Sequence, residues 1–318
     1  MTMLKVSLLS LLIASTTIAA EAAKSTADHL QDVSVTIRSE STWSAGEGSG
    51  VIFSRKDADG NTVNFVWTAA HVIDNLRSER KVIVNGAPRT VVTFKDAKVI
   101  KVIRQNGRAV GRLELDAEVL KYSDADDGHD LALLRVRKLN FVTDSVAFYL
   151  DNKIPKLGTD LWHVGSLLGQ MGSNSMTDGI YSQTGRLIPQ LNKHVFDQTT
   201  VAAFPGSSGG GVYLKSDARY VGMLVRGAGE TFNLIVPVRR MVQWAEKNKI
   251  MWALDPKVKM PTADELAKMQ VEDVGADFSP ENEEKKRKKR ALAAMKFPFM
   301  LGVQPLAPLP LIKQQENK

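Results

Sequence analysis

Three short segments carry side chains that could do nucleophilic chemistry together. Thr68-Ala69-Ala70-His71 offers an imidazole. His129-Asp130-Leu131-Ala132-Leu133-Leu134 offers a carboxylate at the head of an apolar run, and Pro205-Gly206-Ser207-Ser208-Gly209-Gly210-Gly211 a serine among glycines. A serine hydroxyl attacks poorly at neutral pH and needs a base within hydrogen-bond reach. His71 can take its proton and later return it to a leaving group. Asp130, if buried, would hold the imidazole tautomer and stabilise the imidazolium that forms. Gly206 lets the backbone bend, so that the N–H groups of Gly206 and Ser208 can face the charge developing on an attacked carbonyl. Together these roles describe acyl transfer through a covalent intermediate.

Each segment also has a plain structural reading. Gly-x-Ser-Gly-Gly is often only a flexible turn, a histidine on an apolar strand is often a satisfied core residue, and Asp130 could simply begin a strand. The combination is harder to explain that way. His71 to Asp130 spans 59 positions and Asp130 to Ser208 spans 78, intervals that suit two small β-barrels.

The elements between these residues agree. Hydrophobic residues make up 43% and charged residues 24% of 318, an ordinary globular balance with room for a double-barrel domain. Short, β-branched apolar runs at 33–37, 63–67, 81–84, 99–103, 131–136, 161–164 and 220–225 are punctuated by Gly, Asn and Asp. No long amphipathic helix intervenes before Val238, and the pattern predicts an all-β fold. Met241, Trp244 and Ala245 have helical spacing and predict a closing helix over 239–249. Trp67, Trp162 and Trp244 read as core.

The ordered series resembles the trypsin-like serine proteases, and within them the bacterial HtrA/Deg proteases. The chain order His, Asp, Ser is that of the chymotrypsin-like hydrolases. Gly48-Ser49-Gly50-Val51-Ile52-Phe53 resembles the family's strand leading to the histidine. Leu157-Gly158-Thr159-Asp160 through Gly165 resembles the strand that opens the second barrel. Thr177-Asp178-Gly179-Ile180-Tyr181-Ser182, with Gly185-Arg186, resembles the next strand and turn, and Gly222-Met223-Leu224 with Leu234-Ile235-Val236-Pro237 the last two pocket strands. The likeness covers about 33–249.

It implies two six-stranded antiparallel β-barrels of chymotrypsin-like type with a closing C-terminal helix. The expected units are a signal peptide over 1–22, the first barrel over 23–142, the second barrel and helix over 143–254, and a charged, proline-rich low-complexity tail over 255–318. It also implies a serine endopeptidase whose substrates are polypeptides. A dedicated viral-like processing protease and a non-catalytic binding protein on a protease scaffold are the alternatives. The chain departs from the family at Ser207, where relatives carry Asn or Asp, and no Ile-Val-Gly-Gly-like site precedes the first barrel. Activation by insertion of a new N-terminus is therefore not expected. The tail is too short and polar for the usual PDZ domain, so PDZ gating is not expected either.

For specificity, Ala202, Ala203 and Phe204 precede the serine loop and would form the pocket base, with no Asp to hold a basic side chain. Val225, Arg226 and Gly227 would form the facing wall and pair with an extended substrate. Small or aliphatic P1 residues are expected. Arg226 has two readings: turned inward it would favour an acidic P1, turned outward it is a solvated cation. The outward reading is the favoured one.

At the N-terminus, Lys5 followed by the apolar, small-residue run from Val6 to Ala20 predicts an export signal cut near Ala19, Ala20 or Ala22. The protein is then periplasmic or secreted. The chain has no Cys, which excludes a thiol nucleophile and Cys-bound zinc, and its absence is compatible with export. His29, His129, His163 and His194 show no metal-ligand spacing, so no metal or cofactor is expected. Six consecutive cations from Lys285 to Arg290 supply most of the formal +7. They read as a solvated extension, or as an arm for an anionic surface or partner protein; nucleic acid is disfavoured as a partner of an exported chain.

Overall fold

The computed structural model describes residues 24–272 apart from 42–43, 85, 106, 152, 189–193 and 228–230. The expected export signal over 1–22 and the run of cations from Lys285 to Arg290 lie outside the described residues.

After a short helix α1 (Thr26–Asp32), capped by the Ser25 hydroxyl, come strands β1 (Ser34–Glu40), β2 (Ala45–Lys56) and β3 (Thr62–Thr68). A one-turn helix α2 (Ala70–Ile73) follows at once. Strands β4 (Arg77–Val84) and β5 (Ala87–Phe94) form a separate two-stranded hairpin. Then come β6 (Ala97–Gln105), β7 (Arg108–Ser123) and β8 (Leu131–Val136). These close a barrel in the order β1-β2-β3-β8-β7-β6.

The second barrel is built from β9 (Asp160–Leu167), β10 (Gly172–Arg186), β11 (Phe196–Thr199), β12 (Gly211–Leu214), β13 (Tyr220–Gly227) and β14 (Asn233–Pro237). Its order is β10-β11-β14-β13-β12-β9, also closed. Every strand pair in both barrels is antiparallel. Closure removes sheet edges that would otherwise pair with other chains. The expected double barrel is thus what the chain forms.

Helix α3 (Val238–Lys247) leaves the second barrel and packs back on the first. Its Trp244 meets Trp67 edge to face, with ring centroids 5.8 Å apart. Just beyond it, Trp252 packs against Phe65 at 4.8 Å, and the Trp67 indole N–H donates to the Ala253 carbonyl at 2.9 Å. Aromatic pairs of this kind add about 0.5–1.5 kcal/mol beyond their buried area.

Residues 255–272 differ from the expectation of a tail. Helix α4 (Ala263–Ala267) begins at a capping box between Thr262 and Glu265, and its Leu266 is buried in the core. The Tyr122 N–H donates to the Val271 carbonyl at 2.8 Å, and Glu272 pairs with Arg77 at 2.5 Å. This stretch docks through buried Leu266 and through Met260, Met269 and Val271, which pack against the same core. Among the described residues no helix is long and apolar enough to cross a membrane.

Candidate active site

β3 ends at Thr68 and α2 starts two residues later, so His71 sits where the first barrel's strand opens toward the second barrel. Asp130 immediately precedes β8. β3 and β8 are hydrogen-bonded neighbours, with Thr68 opposite Ala132, so sheet register sets the distance between the two functional groups. His71 Nδ1 lies 2.9 and 3.0 Å from the two Asp130 carboxylate oxygens, and the His71 backbone N–H donates to Oδ1 at 3.1 Å.

Asp130 is 1% exposed and has φ +55°, the left-handed region that Asp tolerates better than most residues. A turn centred on Asp124 holds it there. The Asp124 carbonyl accepts from the Gly128 and Asp130 N–H groups at 3.0 and 3.2 Å, and its carboxylate accepts from Asp126 and Asp127 at 2.8 and 2.9 Å. The Ser123 hydroxyl accepts from the His129 N–H at 2.8 Å. From α3, Arg240 donates to the His129 carbonyl at 2.6 Å while lying over the Phe196 ring.

Burial alone would raise the Asp130 carboxyl. The charges of His71 and Arg226, with hydrogen bonds from the His71 ring and backbone, outweigh it and hold the group well below the usual carboxylate range. Asp130 is therefore anionic across the physiological range. Its neighbour His129 is the opposite case. Burial, reinforced by His194, Arg240 and Lys247, lowers its ring to about 3, so it packs neutral against His194. Burial also lowers Arg240, to about 9, against the pull of Asp130.

The Ser208 loop depends on two glycines. Gly206 has φ +95°, and a Cβ there would lie 2.3 Å from the Ser166 carbonyl oxygen. Gly209 has φ +89°, and a Cβ would lie 2.1 Å from the Ser49 carbonyl oxygen. Only glycine fits both the conformation and the space. Ser207 is buried; its hydroxyl accepts from the Phe204 N–H at 3.1 Å and its N–H donates to the Phe204 carbonyl at 2.9 Å. Serine in place of Asn or Asp therefore closes the turn locally. The N–H groups of Gly206 and Ser208 have no acceptor among the described residues, which leaves both available to a bound carbonyl oxygen.

One residue that the sequence reading did not assign to the site turns out to hold this loop. Ser49, fully buried on β2 of the first barrel, donates through its hydroxyl to the Gly206 carbonyl at 2.7 Å and accepts from the Ser166 N–H at 2.8 Å. Its own N–H donates to the Ser208 carbonyl at 2.7 Å, and its carbonyl accepts from the Thr68 hydroxyl at 2.7 Å. One serine thus joins the strand before His71 to the loop carrying Ser208. Its only sequence signal is the small-residue run Gly48-Ser49-Gly50.

Arg226 corrects the outward reading. It is 5% exposed, and its guanidinium lies against His71 and Asp130. Nη2 is 3.1 Å from Asp130 Oδ2; Nη1 is 2.8 Å from His71 Nδ1, 3.4 Å from Nε2, and donates to the Val225 carbonyl at 3.1 Å. A β-bulge between Leu224 and Arg226 breaks the alternation of β13 and turns the side chain inward. Ser208 is 6% exposed, and its hydroxyl donates weakly to the same Val225 carbonyl at 3.5 Å. Among the described residues no hydrogen bond joins it to His71.

The remaining pocket residues lie beside this junction. Ala202 is half-buried with its carbonyl held by the Thr177 hydroxyl at 2.8 Å, Val225 is buried and Gly227 half-buried. β12 pairs with β13 only as far as Met223, so that flank of 225–227 is free of strand pairing. Phe204, Leu168 and Met171 are exposed apolar side chains near the loop, where the Leu168 N–H donates to the Pro205 carbonyl at 2.7 Å. Among the described residues no group of three or more His, Asp or Glu could hold a metal.

Known proteins resemble this chain in sequence and in fold. The chain is 29% identical over 166 residues to "Serine protease Do-like HtrA" of Lactobacillus helveticus, covering 52% of this chain and 32% of that protein. A shorter likeness, 28% over 127 residues, is to uroporphyrinogen decarboxylase of Rickettsia africae (40% of this chain, 34% of that protein). The chain thus spans about a third of the length of these curated relatives. In fold it is similar to the solved structure of an HtrA-type protease with tripeptide, with a TM-score of 0.52 and 17% identity, covering 71% of this chain and 62% of that one. The trypsin-like peptidase domain profile matches residues 48–223. That span holds His71, Asp130 and Ser208 together and covers more than half of the sequence, and on it the chain belongs to the trypsin-like peptidase domain family.

Proposed function

We propose that the protein is a serine endopeptidase with His71, Asp130 and Ser208 as its catalytic triad. The observation that carries the reading is the buried, anionic Asp130 bound to His71 Nδ1 at 2.9 Å, with Ser208 on the adjoining glycine loop. In the reaction, Ser208 Oγ attacks the substrate carbonyl carbon while His71 Nε2 takes the hydroxyl proton. The oxyanion is met by the N–H groups of Gly206 and Ser208. His71 then gives its proton to the departing amine as the peptide C–N bond breaks, leaving an acyl-enzyme. A water molecule, deprotonated by His71, releases the new carboxyl terminus and restores Ser208.

The substrate backbone would pair with 225–227 by strand addition. Ala202 and its neighbours suit small or aliphatic P1 residues. No step needs ATP. An exported, periplasmic or secreted location belongs to the same proposal and rests on the apolar run from Val6 to Ala20. A division between the barrels at 142 and an anionic-surface role for the stretch from Lys285 to Arg290 are part of the same proposal.

The test is incubation of the mature protein with unfolded casein in the absence of nucleotide. The reading predicts peptide release that Ser208→Ala abolishes. Release unaffected by Ser208→Ala, or none by folded wild-type protein, contradicts it.

A further inference from the structure

Arg226 places a cation where a triad works without one. A guanidinium has only donors, so a ring nitrogen can receive it only through an unprotonated lone pair. His71 Nδ1 is approached by Arg226 Nη1 at 2.8 Å and by Asp130 at 2.9 and 3.0 Å. With the proton on Nδ1, the contact with Asp130 is favourable and two donors meet at Arg226. With the proton on Nε2, Arg226 is accepted, but Nε2 can no longer take the Ser208 proton. In neither tautomer are both contacts good. The imidazolium that catalysis requires would also form directly against a fixed positive charge.

For His71 to act, the guanidinium must move. Asp130 is its only anionic partner within ion-pairing distance among the described residues, and the group is almost fully buried. Leaving Asp130 without a replacement would strand a buried charge. Its Nε is already buried without an acceptor, so the resting contacts leave the planar fork incompletely used. A carboxylate is the ligand that takes such a fork through two parallel hydrogen bonds. Arg226 also lies in the 225–227 segment, beside the backbone that an extended polypeptide would join.

We infer that Arg226 is a specificity-determining residue: it caps the His71–Asp130 pair in the substrate-free protein and is drawn off by an acidic side chain of the bound polypeptide, making acidic peptides the substrate class. The inference rests on the endopeptidase reading above. It concerns residues flanking the one that enters the small pocket beside Ala202, so it is compatible with a small P1.

The probes are fluorogenic peptides with Ala at the cleaved position and Glu at one of the three preceding positions, each paired with its Gln counterpart. Wild-type protein should cleave one Glu peptide about 10- to 100-fold faster in kcat/KM, the range expected for a charge-assisted hydrogen-bond pair. Arg226→Met should lose that preference, and its Ser208 should react about tenfold faster than wild type with a small fluorophosphonate that offers no carboxylate, a rise set by release of the blocked base. Arg226→Lys keeps the charge without the fork, and its preference should shrink. Tryptophan fluorescence reports folding of each variant; should Arg226→Met not fold, the Lys variant decides. Equal cleavage of Glu and Gln peptides by wild type, or a preference retained in the folded variants, overturns the inference while leaving the endopeptidase intact. Absence of fluorophosphonate reaction in wild type and variants alike overturns the endopeptidase reading, and the role of Arg226 with it.

Discussion

The two barrels contribute to the site in different ways. The first barrel supplies His71 just after β3 and Asp130 just before β8, and the pairing of these two strands together with a side-chain and a backbone hydrogen bond sets their geometry. The second barrel supplies Ser208 on a loop joined to the first through a few contacts centred on one residue, the hydroxyl and backbone N–H of Ser49. The contact between His71 and Asp130 is made, whereas among the described residues no hydrogen bond joins His71 to Ser208, and Arg226 from the second barrel lies on the His71 ring instead. Geometry fixed by many backbone hydrogen bonds within a sheet is stiff. Geometry carried by a few side chains between sheets can be reset by a ligand.

The largest effects should come from the stiff half and the nucleophile. Ser208→Ala and His71→Ala should each lower kcat by about 10⁴- to 10⁶-fold, and Asp130→Asn by about 10⁴-fold through the wrong imidazole tautomer. Steady-state peptide hydrolysis measures all three. Gly209→Ala attacks the junction between the barrels. Its Cβ would meet the Ser49 carbonyl in a left-handed conformation, and denaturant unfolding should show a loss of about 2–4 kcal/mol.

Ser49→Ala removes the peg but leaves the first barrel's pair untouched. The Ser166 N–H and Gly206 carbonyl lose their partner, at a cost of about 1–3 kcal/mol. Activity should fall by about 10- to 100-fold, mainly in kcat, while the His71–Asp130 contact stays intact. A Ser49→Ala enzyme with wild-type kcat would break the comparison, because the loop would then be held by something else.

The second barrel also carries a pH dependence of its own. His163 is fully buried, and burial lowers its ring to about 4 although its hydrogen bond to the Gly211 carbonyl pulls the other way. Between the ordinary value near 6.5 and about 4, the unfolded chain binds a proton that the folded one does not. The stability linked to His163 is complete above pH 6.5 and is lost progressively toward pH 4, by about 3 kcal/mol. His129 acts in the same direction, down to about 3. Unfolding curves from pH 7 to pH 4 should therefore show a falling stability whose slope is shallower in His163→Gln.

What was legible in the sequence had local causes. The triad candidates announce themselves through side-chain chemistry and glycines within a few residues, and the apolar runs at 63–67 and 131–136, with all but the first residue of 33–37, fall in strands. β7 was harder to see because its first half, through Asp116, is largely exposed and polar and lacks a buried face. Ser49 was not legible as a site residue because its partners lie 117 and 157 positions away. The direction of Arg226 followed from a bulge that strand alternation does not foresee. The docking of 255–272 was hidden because its apolar side chains, Met260, Leu266, Met269 and Val271, are spread through charged sequence.

In the proposed reaction Ser208 is a nucleophile activated by His71 and Asp130. Reaction with a fluorophosphonate, followed by intact mass and peptide mapping, tests it without knowledge of the substrate. A single adduct on Ser208 is expected, absent in Ser208→Ala and strongly slowed in His71→Ala. An adduct elsewhere, or a well-folded wild-type protein that forms none with or without unfolded polypeptide present, would contradict it.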